Sequence, residues 1–86
     1  MTCRIDRVFC EQGVGLRISG RITGEDLDVL RTALEEGRVV ALDLTEVELV
    51  DRDAVVLLAR TETNGIALRH CPAYIREWMT RERGRS

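Results

Sequence analysis

Three carboxylates, Asp43, Asp51 and Asp53, fall within one short stretch, with Thr45 and Arg52 among them. Such a set could hold Mg²⁺ or share a proton in acid–base work. Mg²⁺ sites built on one or two carboxylates are common, so these three acids are weak grounds for a metal. Nucleophilic catalysis needs a nucleophile with a base in reach. The only histidine is His70, and it reads as a strand-end residue rather than a base or ligand. No enzymatic role is expected. Cys3, Cys10 and Cys71 lack the paired spacing of a zinc site, even with His70 added, so no metal or other cofactor is expected. Their odd number, together with the lack of a secretory pattern in MTCRIDRVFC, predicts reduced thiols and a cytoplasmic location. There is no glycine-rich phosphate loop. The net charge of -2 argues against nucleic acid as a partner. No apolar run approaches the ~20 residues that cross a bilayer, so no membrane role is expected.

The elements that must position these acids follow from periodicity. Val39 to Leu42 is an apolar run with no polar partner to alternate with, expected as a central strand covered on both faces that the chain leaves at Asp43. Thr45 to Val50 reads as a loop in which Val47, Leu49 and Val50 cap the core. A second helix is predicted from about Asp53 to Thr63, with Val55, Leu58 and Ala59 as its stripe and Asn64-Gly65 as its stop. Before this unit, residues 3–10 and 14–22 form a hairpin around Gln12-Gly13. Ile5 and Phe9 share one face of the first strand, and Val8 and Cys10 the other. In the second, Val14, Leu16, Ile18 and Ile22 face inward. Thr23 caps a first helix with Asp26 three residues on, in the manner of a capping box. Leu27, Leu30 and Leu34 make its stripe, Val29 and Ala33 widen it, and Gly37 ends it. After it come a short strand at 66–69, a junction at His70-Cys71-Pro72, a third helix led by Pro72, and a polar, frayed tail from Arg81. The whole is one α/β domain: an N-terminal hairpin, then β-α-β-α-β-α, in a single-layer, mostly parallel sheet. In such sheets partners and ligands collect beyond the carboxyl ends of the strands. That rule selects Asp43, Thr45, Asp51, Arg52 and Asp53 as the binding surface. Asp53 has a plainer role beside this one, as a helix-start acid contributing ~0.5–2 kcal/mol.

This pattern resembles the STAS domain, the family of bacterial anti-sigma-factor antagonists and of sulfate-transporter tails. Val39 to Leu44 match the family's apolar strand, with Asp43 as its terminal acid. Val50-Asp51 match the lead into the helix, and Asn64-Gly65-Ile66-Ala67-Leu68 resembles the glycine and strand that follow it. Arg52 stands where the family has its first serine, Asp53 at the phosphorylated Ser/Thr, Ala54 at the glycine and Val55 at the leucine. The resemblance implies a non-catalytic regulatory module of transcription control. Its partner would be an anti-sigma factor or a kinase-like ATPase domain. With a carboxylate at the phosphoacceptor position, binding would be constitutive rather than switched. The alternatives are a small-ligand module for nucleotide or lipid, and a structural subunit of a larger assembly.

Against the family pattern the chain looks shortened, stopping after the third helix. On that reading, the strand edge at 66–69 and the apolar positions Ile75, Trp78 and Met79 form a possible homodimer surface. The competing expectation is that Trp78 simply packs inward.

Overall fold

The central strand is longer than its composition suggests, and this lengthening sets the geometry of everything around it. The computed structural model describes residues 3–36 and 38–84, with Cys10 described in its backbone alone. The elements are β1 (Cys3–Cys10), β2 (Gly13–Ile22), α1 (Leu27–Glu35, entered through a 3-10 turn at Gly24–Asp26), β3 (Val39–Val50), α2 (Arg52–Thr63), β4 (Ala67–Arg69) and α3 (Ala73–Arg83). They form one four-stranded mixed sheet in the order β1-β2-β3-β4. β1 and β2 are antiparallel, while β2–β3 and β3–β4 are parallel. The expected α/β class and element order hold, including parallel pairing of Ala41 with Ala67 and Leu42 with Leu68.

The expected loop at 45–50 is instead strand. It stays paired with β2 from Ser19–Glu46 to Ile22–Val50, across register shifts between Arg17 and Ser19 and between Gly20 and Arg21. An extra residue at each irregularity resets which side chains point inward. Hence Leu44, Val47 and Val50 are buried at intervals of three instead of two. Leu49 is displaced outward and left 49% exposed, so it does not cap the core as expected.

The helices cover one face of the sheet only, correcting the expectation of a doubly covered central strand. The core is Leu16, Ile18 and Ile22 of β2, Leu42 and Leu44 of β3, Leu30 of α1, Val55 and Leu58 of α2, and Ile75 and Met79 of α3. Ile5 packs against it from β1, but Phe9 on the same face is 81% exposed. Phe9 pairs with Val14 at the hairpin end of an edge strand, beyond the buried part of the sheet. Val29 is exposed too, because α1 reaches the core through Leu27, Leu30, Ala33 and Leu34.

Local signals place the helix starts and stops. Asp26 and Thr23 form the capping box, with the Thr23 N–H and hydroxyl donating to Asp26 Oδ2 at 3.4 and 3.2 Å. Asn64 ends α2, and Gly65 follows at φ 95°, a conformation that glycine adopts without strain. Pro72 is the N-cap of α3, one position earlier than expected. That helix continues through Arg81, Glu82 and Arg83, so this part of the expected frayed tail is ordered helix. Gly37 as a helix stop, the face of the Cys10 side chain, and Arg85-Ser86 lie outside the described residues.

Candidate functional site

The residues singled out as one binding surface fall into two places. Asp51, Arg52 and Asp53 lie at the rim, where β3 feeds α2. Asp43 and Thr45 lie within β3, on the uncovered face of the sheet. The long β3 carries the rim several residues beyond them, so they do not share a surface with Asp53.

At the rim, Asp51 is extended and caps α2. Its Oδ1 accepts the Ala54 N–H at 2.9 Å, and its Oδ2 accepts the Gly24 N–H at 2.7 Å. The Asp51 N–H donates to the Ile22 carbonyl at 3.2 Å. One residue thus closes β2 against β3 and supplies acceptors to the N-terminal ends of two helical segments, whose first N–H groups have no partner within the helix. Arg52 turns to α3, where its Nε lies 3.5 Å from the largely buried Glu82 carboxylate. Asp53 is exposed in the first turn of α2, with no hydrogen-bond or ion-pair partner among the described residues. A Cβ on Gly24 would sit 3.6 Å from the Asp53 carboxylate and 3.8 Å from that of Asp51, so both acids flank the same glycine.

On the sheet face, Asp43 Oδ1 accepts the Thr45 hydroxyl at 2.6 Å and the Thr45 N–H at 2.9 Å, and Arg17 Nε stands 3.9 Å away. These two hydrogen bonds, the hydroxyl's foremost, hold the Asp43 carboxyl below the usual carboxylate range, helped by His70 and Arg17. His70 follows β4 as expected, exposed and at φ 55°.

The third helix answers the dimer expectation in part. Ile75 and Met79 are within the core of the single chain, so neither has surface left for a second copy. Trp78 packs against the core and is half-buried. A charged network that periodicity does not reveal joins α2 to α3: Glu62 accepts from Arg76 and from Arg83, each at 2.7 Å. Its carboxyl is held low, mainly by the hydrogen bond from Arg76. Arg76 and Arg83 are two helical turns apart on one face of α3, which is a legible spacing. Their partner on another helix is not legible.

Among the described residues no cluster of His, Cys, Asp or Glu could hold a metal ion, and no helix is long and apolar enough to cross a membrane. Burial pushes the thiols of Cys3 and Cys71 up, which disfavours the thiolate that chemistry would need. Neither a family model nor a curated protein matches the chain.

Proposed function

We propose that the chain is a non-catalytic protein-interaction module of STAS type that holds a regulatory protein through the front of α2. The observation that carries this reading is the division of labour at the rim. Asp51 is spent on two backbone N–H groups and Arg52 on Glu82, while Asp53 keeps a free carboxylate facing solvent. By resemblance that position belongs to the residue a partner kinase phosphorylates. A permanent carboxylate there carries part of the charge of a phosphate, about -1.5 to -2, without needing the kinase. The element order is also the one the resemblance implies. By the same resemblance the partner is an anti-sigma factor or a kinase-like ATPase domain, bound constitutively in the cytoplasm.

Affinity capture from native lysate with the tagged chain, followed by mass spectrometry, tests this. A sigma-regulating or kinase-like ATPase protein is recovered by the parent and lost with Asp53→Lys, while the melting temperature stays within a few degrees. Retention of every captured protein by Asp53→Lys would reduce Asp53 to a helix-start acid and refute the reading.

A further inference from the structure

The face of the sheet that the helices leave open carries an ordered pattern. Register places Asp6, Arg17, Asp43 and Arg69 side by side, one from each strand in turn: Asp6 opposite Arg17, Arg17 opposite Asp43, Asp43 opposite Arg69. The row reads minus, plus, minus, plus from one edge to the other. The neighbouring row is small and apolar: Val8 opposite Gly15, Gly15 opposite Ala41, Ala41 opposite Ala67. Between the two rows lies a shallow cleft of about 120 Å³, lined by Val8, Gly15, Arg17, Ala41, Asp43 and Arg69. Val8 is 45% exposed, and Arg17, Ala67 and Arg69 are exposed. Arg69 has no ion-pair partner among the described residues. At the opposite edge Asp6 has, among the described residues, only Arg4, at 3.3 Å and open to solvent.

We infer that this face is a self-association surface, on which a second copy of the chain packs sheet to sheet about a two-fold axis running along the strands. An alternating row of even length is its own complement when reversed. That axis sets β1 over β4 of the other copy and β2 over β3. Each Asp6 then meets an Arg69, and each Arg17 meets an Asp43. The adjoining row lays Val8 over Ala67 and Gly15 over Ala41, small enough for the charged tips to reach across the ~10 Å between packed sheets. In the row beyond, Arg4, Ser19 and Glu46, the same axis puts Ser19 over Glu46, and the solvent-exposed Arg4, 3.3 Å from Asp6, swings aside as the other copy's Arg69 takes its place. A two-fold axis across the strands would stack every charge on itself, so the row selects one isologous arrangement over the other. Strand spacing and rise give the face roughly 500 Å² per copy, below the ~800 Å² of a standard stable interface. The dimer is therefore weak, with a dissociation constant on the order of micromolar, and it loosens with salt. None of this involves Asp53 or the rim.

Sedimentation equilibrium of the full chain from about 1 to 500 µM tests the inference, with circular dichroism to confirm that each variant is folded. Asp6 and Arg69 lie on opposite edge strands, about 14 Å apart within one chain, and cannot pair there. Asp6→Arg or Arg69→Asp alone places like charges face to face and weakens the dimer at least about tenfold. The double variant Asp6→Arg/Arg69→Asp makes the row plus, plus, minus, minus, which is again its own reverse complement, and returns association to within about threefold of the parent. Ala67→Arg, at an exposed edge position, blocks close approach without touching the charged row and also dissociates the dimer. A monomer over the whole range overturns the inference, and this face is then left to a different protein. So does a dimer indifferent to the single changes, or a folded double variant that stays monomeric.

Discussion

Replacing Asp51 by alanine removes the cap of α2 and the acceptor of the Gly24 N–H at the start of the 3-10 turn. Loss of an N-cap costs about 0.5–2 kcal/mol. Here the 2.9 Å bond to Ala54 N–H is partly buried, which favours the upper half of that range. The 2.7 Å bond to Gly24 N–H is charge-assisted, a class worth ~1.5–3 kcal/mol, but it is solvent-exposed, so water replaces part of it. Together the two give a loss of about 2–3 kcal/mol. For a domain of this size each kcal/mol moves the midpoint by roughly 4–8 °C, so the melting temperature should fall by about 10–20 °C. Asp51→Asn keeps an acceptor for Ala54 but loses the charge, and should fall between alanine and parent. Asp53→Ala, at a solvated first-turn position, should cost about 0.5 kcal/mol or less. Urea denaturation followed by circular dichroism at pH 7 measures all three. If Asp51→Ala loses less than about 0.5 kcal/mol, or if Asp53→Ala loses as much as Asp51→Ala, the assignment of structural work to Asp51 and free charge to Asp53 is wrong.

Acid should erode stability in a defined direction. Asp43 and Glu62 have carboxyls held below their unfolded values, so the unfolded chain takes up protons first. Their contribution is complete above about pH 5 and is lost as pH falls through their folded values; Glu62→Gln should flatten that acid limb and cost on the order of 1 kcal/mol at pH 7, allowing for solvent screening. Two glycines with positive φ should separate in a pair of melts. A Cβ on Gly65 meets nothing within 4 Å, so Gly65→Ala pays only the left-handed backbone, about 1 kcal/mol. A Cβ on Gly13 would stand 2.6 Å from the Arg38 carbonyl oxygen, and Gly13→Ala should cost clearly more; equal melting temperatures for the two would show that the hairpin mouth can open around position 13.

The element order was legible because each helix carries local signals of its own, a start and a stripe. Thr23 with Asp26, Asn64-Gly65 and the Ile75–Met79 spacing are local signals, and local signals survive folding unchanged. What could not be read depends on residues far apart in sequence. The register shifts in β3 turn an alternating strand into one buried at Leu44, Val47 and Val50, a spacing that looks like a loop with occasional apolar contacts. The apolar run from Val39 to Leu42 suggested cover on both sides. Ala41 is indeed buried, but it lines the open-face cleft rather than lying beneath a helix. The rim acids were found by topology, yet their separate roles were not. Asp51 is defined by Gly24, twenty-seven positions away, and Arg52 by Glu82. The charged row is likewise invisible in the chain, since its four members come together only when the strands are set in register.

The double grip of Asp51 has a mechanical consequence. Two of the segments that cross from strand to helix, those following β2 and β3, are fastened to the same side chain, so neither can peel away without releasing the other. Fraying at this end is therefore a joint event with a single latch. A binding protein pulling on the adjacent Asp53 would load that latch directly, and strain applied to the start of one helix would pass to the start of the other.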